Sequence, residues 1–301
     1  MKIINVSFEC EYDKKKYVLE CEEKFHKYLI DISARVQESG ADIILLSGPT
    51  CSGKTTLANK IIDDYTENGK DVKVVSIDDF FNDREGIRVV KENEKIDYDS
   101  VDALDFECLE KCVYDLETKR EFSVPRYDFL TQKRVGYETF KMNENTVVIF
   151  EGIQAVYPEI YGLFLNYDHI GIFTNVDNDV MVNGVLFSRD DIRLSRRIVR
   201  DRKFRGATAD FSLYLWESVR ENEDKNIYPN KNICKIQMDS FLDYELFVIK
   251  KYIIEVLKDV LPESKYYGKA TELRNKFLSL PEISFDYVPA DSLYTEFLGK
   301  K

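Results

Sequence analysis

Eight consecutive residues, Gly48, Pro49, Thr50, Cys51, Ser52, Gly53, Lys54 and Thr55, satisfy the spacing G-x-x-x-x-G-K-[S/T] in full. Residues of these types in this order bind phosphates. Glycines let backbone N–H groups turn inward around an anion, and a helix N-terminus directly behind them adds favourable partial charge. Lys54 supplies a point charge for the β- and γ-phosphates, and the Thr55 hydroxyl supplies a magnesium ligand. Thr56 follows in the same opening turn. The motif needs a strand before it and a helix after it, and the apolar run 42–46 and the helical stretch 55–65 supply both. By composition the bare pattern arises by accident in roughly one chain in a hundred of this length, and its context lowers that further. The expected ligand is ATP or GTP together with Mg2+.

Other residues sort the chemistry. A base-reading N-K-x-D is absent, as is L-S-G-G-Q, and the D-x-x-G match at residues 83–86 follows Phe80-Phe81-Asn82 and not a strand end. Switch and transport proteins lose ground to kinases. Asp78 stands at the end of the strand expected over 72–77, where parallel sheets present catalytic groups. A carboxylate there can orient a hydroxyl and accept its proton, or else cap a turn. Glu151 likewise ends the strand expected over 146–150. Arg189, Arg193, Arg196, Arg197, Arg200, Arg202 and Arg205, with Lys203, form a basic run in an acidic chain. On a helix Arg193, Arg197 and Arg200 share a face. Such a face is either a solvated surface paired with Asp190, Asp191 and Asp201, or a lid that closes over a triphosphate.

In order and spacing, five further segments complete a pattern: 76–81 (Ser-Ile-Asp-Asp-Phe-Phe), 97–105, 125–134, 150–153 and 193–201. The set resembles the uridine–cytidine kinases of the phosphoribulokinase/uridine kinase family over roughly residues 41–260. The resemblance implies transfer of the ATP γ-phosphate to the 5′-hydroxyl of a pyrimidine ribonucleoside. It makes Asp78 the base and gives Asp79, where relatives often have serine, no chemical role. It makes Asp99 the holder of the ribose hydroxyls, since a carboxylate accepting two hydroxyl bonds suits a vicinal diol. Glu151 would hold magnesium through water. Arg197 and Arg200, and more loosely Arg205, match phosphate-contacting positions. Tyr127, Phe129 and Arg134 belong to the acceptor-base motif Y-D-F-x-x-H-x-R, in which Gln132 replaces the histidine; Ala207 replaces another family arginine. Two other readings stay open: a kinase for a different small hydroxylated acceptor, and a nucleotide-binding regulator without turnover.

These groups need a scaffold. Short apolar runs at 42–46, 72–77, 146–150, 170–175 and 233–238 alternate with helical stretches at 102–118, 180–202, 210–223 and 244–260. That alternation implies an α/β fold of the phosphate-loop NTPase type, a parallel sheet flanked by helices. The expected organisation is an extension over residues 1–40 (a β-hairpin over 2–20, then a helix over 25–36), a kinase core over 41–262 with an arginine-rich lid at about 186–210, and a tail over 263–301 packing on the core. A net charge of −12 argues against a nucleic-acid partner. The N-terminus is too soon interrupted by charge for a signal peptide, and no apolar run approaches the ~20 residues of a membrane span. Six cysteines without framework spacing fit free thiols in a reducing cytoplasm. Cys108 and Cys112 lack a second ligand pair for zinc. The expected partner is a small nucleoside, and homo-oligomerisation stays open.

Overall fold

The computed structural model describes residues 1–83, 90–91, 95–96 and 100–300. The chain opens with β1 (Lys2–Ile4) and then α1 (Glu11–Glu38). In α1 the buried residues Val18, Cys21, Phe25, Leu29, Ile32 and Val36 recur every three or four positions, one unbroken apolar stripe. The hairpin expected over residues 2–20 therefore does not form. Residues 16–20 lie inside α1, and the alternation read there is a fragment of the helical stripe. Asp13, expected in a turn, accepts the backbone N–H groups of Glu9 and Cys10 at 3.1 and 3.2 Å and so caps the helix.

Next come β2 (Ile43–Ser47), α2 (Lys54–Glu67) and β3 (Asp71–Ser76). A two-residue pair, β4 (Val90–Lys91) with β5 (Lys95–Ile96), precedes α3 (Phe106–Lys119). The α3 helix starts later than expected because Asp105 caps it, accepting from the Cys108 N–H at 3.0 Å. Then β6 (Glu121–Asp128) and β7 (Lys133–Lys141) form an antiparallel hairpin that the apolar runs had not announced. The order continues with β8 (Thr146–Glu151), α4 (Pro158–Gly162) and β9 (His169–Asn175). After them β10 (Val180–Val182) and β11 (Val185–Phe187) turn through Asn183 and Gly184, both at positive φ. Asn-Gly is the pair that such a two-residue hairpin demands. The helix expected from 180 accordingly begins only at Arg189. Finally, β1 pairs in parallel with β10.

The second half carries α5 (Arg189–Arg205), α6 (Ala209–Asn222), β12 (Ile236–Asp239), α7 (Glu245–Leu257), α8 (Tyr267–Leu278) and α9 (Thr295–Leu298). The central sheet runs β12-β9-β2-β8-β3, all parallel. Both faces are covered, and the period of two in β2 divides them: Ile44 and Leu46 join one apolar core, Ile43 and Leu45 the other. The first core holds α1, α2, α5, α7 and the C-terminal residues; the second holds α3, the β6–β7 hairpin and α4. Every parallel strand delivers its carboxyl end to one edge, and the candidate site gathers there.

Candidate active site

The phosphate loop leaves β2, the central strand. A Cβ at Gly48 would sit 2.2 Å from the Thr174 carbonyl oxygen of β9, so the backbones meet where only glycine fits. Gly53, at φ 84°, is the N-cap of α2; among the described residues no side chain caps that helix. The opening turn of α2 therefore presents its N–H groups toward the loop, an arrangement that favours an anion. Lys54 curls into the loop and donates to the carbonyls of Gly48 at 2.8 Å and Pro49 at 3.1 Å. Ser52 and Thr174 share a hydroxyl contact at 2.8 Å. Cys51 holds a left-handed conformation at φ 57°, and its carbonyl accepts from Arg196 at 3.0 Å.

The middle of the arginine helix, residues 192–199, packs into the core, while Arg202, Lys203 and Arg205 in its last turn are exposed. Arg193 and Arg196 are 0% exposed. Arg193 pairs with Glu223 through two bonds of 2.7 and 2.5 Å. Arg196 pairs with Glu245 at 3.0 and 2.6 Å, and its remaining donors meet the Ser240 hydroxyl, the Ser240 carbonyl and the Cys51 carbonyl. Burial at this depth is tolerated because each guanidinium meets a carboxylate in fork geometry. Arg193 thus parts from Arg197 and Arg200, with which its spacing had grouped it. Those two, and Arg205, converge on Asp201, at 3.4, 2.8 and 3.3 Å. Asp201 is buried. Burial, with Arg200 and Arg197 close by, lowers the Arg205 pKa.

The other side of the loop carries the acceptor candidates. Glu151 ends β8 in register with Leu46 of β2 and Ser76 of β3, and the Ser76 hydroxyl lies 3.4 Å from its carboxylate. Asp78 and Asp79 occupy the turn that follows β3; both are half-buried. Asp79 accepts from the Tyr127 N–H at 3.1 Å, fastening β6 to the sheet edge, and burial raises its carboxyl. Tyr127, Phe129 and Phe81 form an edge-to-face cluster with centroids 5.2 to 6.1 Å apart. Tyr127 is buried, whereas Phe129 is 58% exposed. Gln132 lies in the β6–β7 turn at φ 55°, half-buried. Arg134 donates to Asp105 and to the Tyr137 hydroxyl, both at 3.0 Å, and its N–H meets Asp83 at 2.7 Å. Asp99, the expected ribose holder, lies outside the described residues.

The edge thus brings Lys54, Thr55 and Thr56 together with Arg196, Arg200 and Asp201 on one side, and Glu151 and Asp78 on the other. Sequence reasoning had given Asp201 only the part of a surface partner. Its spacing, one residue after Arg200 and four from Arg197 and Arg205, carried the signal for a shared partner. Thr174, Ser240 and Glu245 had no local signal, since they reach the loop only through the sheet order.

The family model described as "Phosphoribulokinase / Uridine kinase family" matches residues 43–244. The chain belongs to this family. It is therefore a phosphotransferase that acts on a hydroxyl acceptor with a nucleotide donor. The kinase is 32% identical over 196 residues to "Uridine kinase" of Lactobacillus helveticus, covering 64% of this chain and 84% of that one. It is 31% identical over 234 residues to "Uridine-cytidine kinase B" of Dictyostelium discoideum, covering 76% and 86%. A solved structure titled as a possible uridine kinase from Bacillus stearothermophilus aligns with 44% of this chain and 68% of that one, at 24% identity and a TM-score of 0.37. Among the described residues of the kinase, no helix is long and apolar enough to cross a membrane.

Proposed function

We propose that this kinase transfers the γ-phosphoryl group of ATP to the 5′-hydroxyl of a pyrimidine ribonucleoside. The observation that carries the reading is the pairing of two features at one sheet edge. A complete phosphate loop follows β2, and two strands away Asp78 follows β3 beneath an aromatic hairpin bearing Tyr127 and Phe129. A protein that only bound nucleotide would have no use for the second feature. The names of the relatives supply the acceptor class.

In this reading Asp78 takes the proton as the 5′-oxygen bonds to the γ-phosphorus and the bond to the bridging oxygen breaks, leaving ADP. Lys54 follows the charge on the β- and γ-phosphates. Arg197 and Arg200, oriented by Asp201, stabilise the equatorial oxygens of the transferring group. The oxygen donors of Thr55 and Glu151 suit Mg2+, a hard cation that takes one or two protein ligands and otherwise water and phosphate. Bound there it would neutralise charge on the phosphates. Tyr127 and Phe129 flank the base, Arg134 braces the hairpin, and Gln132 offers its amide to the base edge; Asp99 would hold the ribose.

The test is a panel of nucleosides and small sugars offered with Mg-ATP to the purified chain, read by ADP release and by mass of the product. Uridine and cytidine should gain one phosphate and purine nucleosides little. Turnover of a purine nucleoside or a sugar with silence toward both pyrimidines would overturn the acceptor assignment.

A further inference from the structure

The segment 292–298 lies beyond the residues matched by the family model, yet it reaches the phosphate loop. Glu296 Oε2 is 3.4 Å from Thr56 Oγ1 in the opening turn of α2. Its carboxylate is half-buried, burial raises its pKa, and Lys54, Arg196 and Arg200 lie within electrostatic range of it. Three residues earlier, Leu293 approaches Gly53 so closely that a Cβ there would sit 2.6 Å from Leu293 Cδ1.

This segment is built into the site. Tyr294, Phe297 and Leu298 are fully buried. The Tyr294 hydroxyl donates to the Glu245 carbonyl at 3.2 Å, and the hydroxyls of Ser292 and Tyr244 meet at 3.1 Å. The Arg196 guanidinium sits 5.0 Å from the Phe297 ring, and Lys203 donates to the Leu298 carbonyl. Stripping it away would expose three core side chains and unseat the arginine that shapes Cys51. A nucleotide entering the loop therefore meets Glu296 in place.

The sheet order decides which part of the nucleotide it meets. Asp78 and Glu151 follow β3 and β8, on one side of β2. On the other side lie β9 and β12, and Ser240, just after β12, comes within 3.3 Å of the same Gly53 Cβ position. Transfer to an acceptor on the β3 side places the γ-phosphate there, so the nucleoside end of the donor leaves over the β12 side, beside Glu296. A carboxylate repels phosphate and accepts from O–H or N–H groups. The vicinal hydroxyls of the ribose, which follows the α-phosphate along the nucleotide, are the O–H donors at that end.

We propose that Glu296 accepts hydrogen bonds from the ribose hydroxyls of the nucleoside triphosphate donor and so selects ribonucleotides over deoxyribonucleotides. The proposal rests on the reading of the loop as the ATP site. The experiment is calorimetric titration of the full chain with Mg-ATP and with Mg-2′-deoxy-ATP, without acceptor, for wild type, Glu296→Gln and Lys54→Ala. Wild type should bind ATP about tenfold or more tightly than 2′-deoxy-ATP. Glu296→Gln should lose a similar factor toward ATP, bind the two nucleotides alike and keep the melting temperature of wild type. A wild-type ratio near one overturns the proposal without recourse to any variant. Tighter ATP binding by Glu296→Gln also overturns it, since the carboxylate would then be a competing anion. If folded wild type bound neither nucleotide, or Lys54→Ala bound ATP as well as wild type, the loop reading itself would fall.

Discussion

The donor side and the acceptor side of this edge are built in opposite ways. Around the phosphate loop, charge is interior: Arg193, Arg196 and Asp201 are buried, the two arginines paired with carboxylates from elements distant in the chain and Asp201 with arginines of its own helix. Across the edge, the acceptor hairpin turns its tip outward, with Phe129 and Leu130 exposed and ion pairs such as Arg126–Glu138 on its surface. Buried paired charges cannot shift without leaving a partner stranded in low dielectric, so the donor side is pre-organised for one ligand chemistry. The hairpin meets the core through Asp79, Tyr127 and Arg134, and its tip can change residue by residue without disturbing that core. A kinase family can therefore keep phosphoryl transfer while the acceptor varies, and the departure at Gln132 lies in the hairpin turn.

If that contrast is right, the largest losses of rate come from the loop. Lys54→Ala should remove transfer, by 10³-fold or more on the scale of arginine-finger losses of roughly 10³ to 10⁵, while the melting temperature holds, because the Lys54 ammonium bonds the loop's own carbonyls and not the core. Normal turnover by a folded variant would break the donor side of the comparison. Asp78→Asn, nearly isosteric but unable to take a proton, should lower kcat by roughly 10² to 10⁴ with ATP still binding. Asp79→Asn should instead act on stability, since its carboxylate holds the Tyr127 N–H. A large kcat loss at Asp79 and none at Asp78 would move the base by one residue.

The same contrast explains what could be read in advance. Phosphate loop, parallel sheet and helix order were legible because strand–loop–helix context and apolar runs are local features. The five sheet strands were found within about three residues of their ends. Residues 2–20 failed because a short window of a helical stripe mimics alternation, and residues 180–187 because the Asn183-Gly184 turn was passed over. Glu245 and Glu296 were beyond reach for another reason: each meets its partner across 49 and 240 residues of chain. Buried ion pairs between distant elements leave no periodicity in either segment.

Asp201 gives the next smaller effect and sharpens the donor side. Three arginines share it, so Asp201→Asn should loosen Arg197 and Arg200 together. Losing a charge-assisted hydrogen bond is worth roughly 1.5–3 kcal/mol, which gives a kcat about ten- to 150-fold lower. Alanine at Arg197 or Arg200 should likewise lower kcat more than it raises the acceptor KM, and adding Asp201→Asn to either should cost less than the sum. A strictly additive double variant would mean that Asp201 does not organise the arginines.

The smallest effect is expected at the hairpin tip, and it tests the acceptor side directly. Gln132 stands at φ 55° in the β6–β7 turn, a conformation that costs a non-glycine residue something and is kept where the surroundings require it. Its amide offers an acceptor oxygen and a two-proton donor. Turned one way it meets the O4 and N3–H edge of uracil, and turned the other way the N3 and amino edge of cytosine. Both pyrimidine ribonucleosides should therefore be accepted with similar kcat/KM. Gln132→Leu keeps a side chain of comparable size but leaves the base edge unpaired, which should lower kcat/KM for both nucleosides by about 1–3 kcal/mol, roughly five- to 150-fold. The affinity for Mg-ATP should not move, because the phosphate loop lies across the edge from the hairpin. Steady-state kinetics with uridine and cytidine, beside an ATP titration, separate the outcomes. A loss for one nucleoside alone would show that the amide is locked in a single orientation. An equal loss of ATP affinity would show that the two sides are coupled, and the contrast between a fixed donor half and an adjustable acceptor half would fail.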